Sequence, residues 1–433
     1  MNFYQLAFFL VPSSFSIKML RTVGIVLRNK TRVTQRMMMS SGKASLETTI
    51  AAGSMSDPYM SNPGARLFPS AANYANLEKT EYVEIWCGNA KQAAVYYQTC
   101  FGFEPVAYKG LETGSRDVCS YLMRQGDIQI VLTSPLSGSN AEMNAHLVNH
   151  GDSVKYIALR VKDAAKAFEE TTKRGAEAYS APTKLGDSQI SCSGIKTYGD
   201  TVHLFLSGMT DYDGVFLPGY VKWDKAHLGD GVGLEYIDHM VGNVSWNEMD
   251  KWAGYYKTVF GMDQLISFDD KDISTEYTAL KSKVMTTDTG LVKYPLNEPA
   301  KGLMKSQIEE YLEYNAGPGV QHIALATNNI IETIRKMKAR GVEFLRVPDT
   351  YYDHLLDRVG DIEEDVQVLK ELGILVDRDD KGYLLQIFTK PLTDRPTLFF
   401  EVIQRRGGFS FGKGNFKALF VSIEEEQRKR GTL

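Results

Sequence analysis

The sequence predicts an α+β fold. Four modules of strand, helix and further strands pair into two half-open, mainly antiparallel barrel domains, one in each half of the chain. Three observations carry this. The phrase EYVEIWCGN at Glu81–Asn89 returns as EYIDHMVGN at Glu235–Asn243. Each copy runs into a stretch of helical period that ends alike, in VYYQTCFGF and in GYYKTVFGM. A second phrase, KYIALRV from Lys155, returns as QHIALAT from Gln321, again followed by a helical stretch. The order of the phrases is kept as well as their composition, which marks an internal duplication. Strand, helix and several strands, repeated four times, is α+β rather than a parallel α/β pattern.

The segments follow in order. Residues 1–46 hold seven basic residues, from Lys18 to Lys43, and no Asp or Glu. That composition is one of a mitochondrial presequence. It reads equally as a start-site artefact, since Met19 and Met37–Met39 offer later starts. Residues 47–76 are rich in Ser, Ala, Gly and Pro and read as a disordered linker. Residues 77–226 are expected to form the first barrel domain and 227–433 the second. In the second, Tyr236–Val241 is an apolar strand. Ile330–Arg340 is an amphipathic helix with Ile331, Ile334 and Met337 on one face, ended by Gly341 at the C′ position. Further strands are expected at Tyr277–Leu280, Leu384–Phe388 and Thr397–Ile403, and a last helix at Asn415–Lys429, placed to act as a lid.

Composition excludes several classes. Hydrophobic residues make up 43% and charged residues 24%, which is globular. No apolar run reaches the ~18 residues of a membrane span, so no transmembrane segment is expected. Four cysteines with no CxxC pair form neither a disulfide framework nor a zinc ribbon, and they suit a reducing compartment. Of 49 basic residues, 42 remain beyond residue 46, against 53 acidic ones, a net charge of −11. An acidic body argues against nucleic acid as a partner.

Laying one half on the other isolates the chemistry. His239 falls opposite Ile85, His322 opposite Tyr156, and Glu401 opposite Ser207. Either histidine alone also reads as an ordinary core residue. Glu401 is harder to dismiss, because it stands among Phe399, Phe400, Val402 and Ile403, and an unpartnered buried carboxylate is costly. Alternation puts it on the face of Phe399 and Ile403, pointing inward. Two histidines and a carboxylate from three strands describe the facial triad of non-haem iron(II) oxygenases. The remaining histidines carry no assigned chemistry. His146 and His150 stand i,i+4 but are expected on a solvated helix face, with no third ligand near in sequence. His203 lies on a strand of the half without ligands, His227 in the linker between halves, and His354 after a Tyr-Tyr turn. DRDDKG at Asp377–Gly382 lacks the full spacing of a calcium loop and reads as a hairpin turn. FGKGNF lacks the phosphate-loop spacing.

The phrases GPGVQHIAL, LLQIFTKPLTDRPTLFFEVIQR, FGKGNFKALF and YPLNEP, with VGN after His239, resemble the 4-hydroxyphenylpyruvate dioxygenase family of the vicinal-oxygen-chelate superfamily. The resemblance spans about residues 77–433. It implies that His239, His322 and Glu401 hold iron(II), one ion per subunit, in a homodimer. It implies pocket roles for Ser282, Asn297, Gln307, Gln321, Gln386, Phe388, Phe399, Phe411, Asn415 and Phe416. It also implies the reaction, in tyrosine and phenylalanine catabolism: 4-hydroxyphenylpyruvate and O₂ give homogentisate and CO₂. No 2-oxoglutarate is needed, because the substrate carries its own keto acid. The stretch RRGGFSF at Arg405–Phe411 departs from the family pattern, leaving Phe409 as an alternative to Phe411 against substrate. The family is usually cytoplasmic; a working presequence in 1–46 would make this chain mitochondrial. Two other readings stay open: 4-hydroxymandelate synthase, and a non-catalytic binding protein on the same scaffold.

Overall fold

The computed structural model describes residues 56–224, 230–270 and 274–433. The basic extension, the expectations attached to it, and His227 lie outside the described residues. The first module is β1 (Leu77–Trp86), α1 (Ala90–Phe101), β2 (Glu104–Lys109), β3 (Val118–Gln125) and β4 (Ile128–Pro135). Helix α2 (Ala141–His150) leads into the second: β5 (Ser153–Val161), α3 (Ala164–Lys173), β6 (Ala178–Lys184), β7 (Ser191–Lys196) and β8 (Val202–Ser207), with the short β9 (Val221–Lys222) after it. The third is β10 (Leu234–Asn243), α4 (Met249–Tyr255) running into a π-helical turn at Tyr256–Phe260, β11 (Asp263–Phe268), β12 (Ala279–Thr286) and β13 (Lys293–Ala300). After α5 (Gln307–Tyr314) comes the fourth: β14 (Gly319–Thr327), α6 (Ile330–Ala339), α7 (Leu355–Val359), α8 (Val366–Leu372), β15 (Leu375–Arg378), β16 (Tyr383–Phe388) and β17 (Phe399–Arg406). Helix α9 (Phe416–Arg430) ends the chain.

The duplication is visible in the topology. The sheets run β6-β7-β8-β5-β1-β4-β3-β2-β9 and β11-β12-β13-β10-β14-β17-β16-β15. In every module the first and last strands pair in parallel: β1 with β4, β5 with β8, β10 with β13, β14 with β17. Two modules then join through their first strands, antiparallel, β1 with β5 and β10 with β14. This is the vicinal-oxygen-chelate architecture expected above.

Local chemistry sets the elements. Asp163 and Asn329, at matching places in the second repeated phrase, cap α3 and α6 with their side-chain oxygens. Gly341 takes φ +88 just past α6, as a C′ residue must. The DRDDKG stretch is the β15–β16 turn, where Asp379 accepts from the Lys381 and Gly382 amides. The expected strand at Tyr277–Leu280 starts later, at Ala279, and runs on to Thr286. No helix of the described residues is long and apolar enough to cross a membrane.

The core forms where alternation sends the apolar side chains. Phe400, facing away from Glu401, meets Tyr97 and Phe101 of α1 edge-on, with ring centroids at 5.9 and 5.2 Å. The N-terminal half therefore backs the sheet that carries His239, His322 and Glu401.

The linker expectation is corrected for residues 56–76. Tyr59 is 1% exposed, its ring 3.5 Å from Lys293 Nζ and edge-on to Phe409 at 5.3 Å. Phe68 N donates to Asp288 O (2.8 Å) and Ala72 N to Gly261 O (2.7 Å). A Ser/Gly/Pro-rich average concealed a few anchors, and a segment needs only such anchors and satisfied backbone groups to be held.

Candidate metal centre and its cavity

Three neighbouring strands deliver the three ligand candidates. On β10, β14 and β17, His239 pairs in register with Ala324, and Ala324 with Glu401. His322 lies two residues back along β14, opposite Phe399. Residues two apart on a strand share a face, so all three side chains meet on one side of the sheet. The small Ala324 sits between the other two. Glu401 Oε2 is 3.2 Å from His239 Nε2 and 3.3 Å from His322 Nε2, and all three residues are buried.

The outer nitrogens hold the rings in place. His239 Nδ1 donates to Asp238 Oδ1 at 2.7 Å, and His322 Nδ1 to Gln321 Oε1 at 3.0 Å. Both Nε2 atoms therefore face Glu401, the arrangement that orients histidines for a metal. Asp238 is itself fully buried and carries more than a histidine. Arg405 grips it with Nε and Nη2 at 2.8 and 2.9 Å, and Lys293 Nζ stands 3.8 Å away. Burial alone would raise the Asp238 carboxyl; the charges of Arg405 and Lys293 hold it well below the usual range. Burial pushes the Lys293 amine down to about 8. Burial also works to raise Glu401, but the His239 charge and hydrogen bonds from both histidines hold it at about 2. An ionised carboxylate and two inward nitrogens fit a divalent first-row metal. These three residues form a candidate metal-ligand group.

A cavity opens on the same face. His239, His322 and Glu401 stand at its wall together with Ser282, Asn297, Gln307, Gln321, Gln386, Phe388, Phe399, Phe411 and Phe416. Apolar side chains with no pocket role expected from the sequence complete it: Phe268, Leu280 and Val284 from β11 and β12, and Leu419 and Phe420 from α9. Phe399 stacks on the His322 ring at 4.9 Å, and Phe411 meets the His239 ring edge-on at 4.9 Å. Of the two alternatives, then, Phe411 reaches the cavity, while Phe409 packs against Tyr59 and Phe68. Gln386 Oε1 is buried with no hydrogen-bond partner among the described residues. It is brought close by Gly412, at φ +78, where a Cβ would sit 2.5 Å from that oxygen.

One expected pocket residue is corrected. Asn415 does not line the cavity. It lies in a 3₁₀ turn, where its Oδ1 accepts from Tyr351 OH at 2.6 Å. The phrase that brings Phe411 and Phe416 to the wall turns Asn415 away. A second correction concerns α2. His146 and His150 are buried rather than solvated, and Asp200 supplies a carboxylate beside them. Sequence reasoning also missed Asp238 and Arg405. The one signal for Asp238 was an acid immediately before a candidate ligand histidine.

Comparison with known proteins gives consistent findings. Residues 72–217 match the family model "Hydroxyphenylpyruvate dioxygenase, HPPD, N-terminal", and 236–387 match "Glyoxalase/Bleomycin resistance protein/Dioxygenase superfamily". The chain is 48% identical to a 4-hydroxyphenylpyruvate dioxygenase of Danio rerio over 381 residues, 84% of this chain and 94% of that one. It is 47% identical to one of Aspergillus fumigatus over 395 residues, 86% and 97% of the two chains. Among solved structures, a mutant 4-hydroxymandelate synthase from Streptomyces coelicolor is similar at a TM-score of 0.73 and 29% identity, covering 81% of this chain and 99% of that one.

Proposed function

The chain belongs to the 4-hydroxyphenylpyruvate dioxygenase family, and from that premise we propose that its reaction runs over iron(II), one ion per chain, held by His239, His322 and Glu401. The enzyme converts 4-hydroxyphenylpyruvate and O₂ to homogentisate and CO₂ by oxidative decarboxylation, ring hydroxylation and side-chain migration, a step of tyrosine and phenylalanine catabolism. The observation that carries the site is the convergence of three donors, each inward nitrogen fixed by an outer hydrogen bond, at the wall of a mostly apolar cavity.

When bound, iron(II) supplies the open positions at which the keto acid chelates and O₂ is activated. The protein binds and orients. Phe388, Phe399 and Phe411 offer faces and edges to an aromatic ring. The orphaned Gln386 Oε1 awaits a donor and suits the phenol O–H of the substrate. Ser282, Asn297, Gln307 and Gln321 add uncharged polar contacts that leave the charge balance to Glu401 and the keto acid. Phe416, Leu419 and Phe420 bring α9 over the cavity, which keeps water from the reacting centre. The reading extends to a homodimer, which sedimentation tests directly: a monomer mass at micromolar concentration refutes it.

The test of the reaction is product identity. Protein reconstituted with iron(II) under ascorbate, given 4-hydroxyphenylpyruvate and O₂, is expected to release homogentisate and matching CO₂. 4-Hydroxymandelate as product overturns the placement of the ring. Absence of product from iron-loaded protein overturns the substrate. Glu401→Gln is expected to lose bound iron and turnover with the fold intact; full activity in that variant removes Glu401 from the site.

A further inference from the structure

We propose that His146, His150 and Asp200 form a second, structural site for a divalent transition metal of the zinc class, on the first half of the chain where it meets the second. Helix α2 presents the two histidines one turn apart, 3% and 6% exposed, with ring centroids 4.6 Å apart. Asp200, in the turn between β7 and β8, brings Oδ2 to 2.9 Å from His150 Nε2 and 3.8 Å from His146 Nδ1.

The remaining ring nitrogens explain why a cation belongs there. His150 Nδ1 faces the backbone carbonyl of Asn315, which only accepts, so Nδ1 carries the proton. In the neutral ring, Nε2 then points a lone pair at a carboxylate oxygen. His146 Nε2 bonds Ser153 Oγ at 2.8 Å, while its Nδ1 is buried with no partner among the described residues. Two nitrogens and a carboxylate oxygen thus converge on one point, each histidine held from behind by an oxygen. This is how protein metal ligands are oriented. The Asp200 side chain is 54% exposed, which leaves an entry path and a fourth, water position. The nearby cation, Lys155, is drawn aside: its Nζ pairs with Glu142 at 3.2 Å and lies over Trp86 at 5.0 Å.

The position joins the halves. Asn315 and the Pro318–Val320 backbone, from the second half, line the same small cavity. Gly199, at φ +57, lets the Asp200 turn press against that segment; a Cβ there would stand 2.2 Å from Pro318 O. The pinned segment continues into β14, which carries Gln321 and His322.

The test titrates metal-free protein with Co(II) and reads absorption, and with Zn(II) and reads the melting temperature. Wild type is expected to take a second equivalent with the strong bands of tetrahedral cobalt, and a higher melting temperature with zinc. His239→Ala keeps the tetrahedral equivalent, whereas His146→Ala and the exposed Asp200→Asn lose it. Ser153→Ala, which removes only the oxygen behind His146, weakens it roughly 10–100-fold. A single equivalent without tetrahedral bands overturns the proposal; it would leave His150 only bridging Asp200 and Asn315 by hydrogen bonds. Survival of the tetrahedral equivalent in both His146→Ala and Asp200→Asn overturns it as well.

Discussion

Replacing Asp238 by Asn should injure the protein twice. Asp238 is 1% exposed and its carboxylate is the shared anion for Arg405, Lys293 and the outer nitrogen of His239. At an effective dielectric constant of ~20, contacts of 2.8 and 3.8 Å correspond to about 6 and about 4 kcal/mol of Coulomb attraction. Desolvation of the three groups offsets most of that in the intact network. Asparagine keeps the size and still accepts from His239, but it strips Arg405 of its carboxylate partner and leaves Lys293 only the charge of Asp57. Breaking a buried pair in this way costs roughly 3–5 kcal/mol. Lys293, already pushed down to about 8, should shed its proton first and carry part of the loss. The second injury is to the candidate metal centre: losing the charge behind His239 should weaken metal binding roughly 10–100-fold. Urea unfolding with an unchanged m-value reads the first effect, and metal competition against a chelator reads the second. Adding Arg405→Met should recover part of the stability, because it removes the stranded cation. A loss under ~1 kcal/mol with unchanged metal affinity would refute the charge balance described here.

Tyr59→Ala should cost about 3–5 kcal/mol in denaturant unfolding, since it empties a buried site under Lys293 and Arg405; a loss near zero would mean the segment is not anchored there. His203 is buried, with Nε2 on Tyr256 OH, and burial lowers its pKa to about 3. The unfolded chain takes up this proton below ~6.5 and the folded one does not, so stability is full above ~6.5. It falls toward pH 3 by up to ~1.4 kcal/mol per unit. His203→Phe should flatten that acid limb, and identical acid limbs would refute the assignment. Gly412→Ala should displace the Gln386 amide and raise KM about tenfold, with about 1 kcal/mol of strain from its positive φ. An unchanged KM would remove Gln386 from substrate binding.

The fold was legible because whole phrases recur with their caps, as Asp163 and Asn329 show. Glu401 was legible because a carboxylate on an apolar strand needs a reason, and alternation gave its direction. What escaped notice was non-local. Asp200 lies 50 residues beyond His150, reached only through the β7–β8 turn. Arg405 meets Asp238 across 167 residues. Superposing the halves by phrase also has a limit. It set Ile85 against His239 and Tyr156 against His322, yet β1 pairs Glu84 with Tyr156 while β10 pairs Val241 with His322. Bulges shift register without leaving a mark on composition. Averages failed in the other direction at residues 56–76, where one tyrosine outweighs many small residues.

Phe400 bears on how such a chain can be taken apart. It has its back to His239, His322 and Glu401 and its ring against Tyr97 and Phe101. A fragment holding only the C-terminal half would turn that aromatic face to water and is expected to associate through it. The N-terminal half is thus no vestige to be trimmed. Anyone seeking a smaller catalyst would have to recolour that back wall first, swapping Phe400 for a polar residue while leaving Phe399, Glu401 and Ile403 on the opposite face untouched.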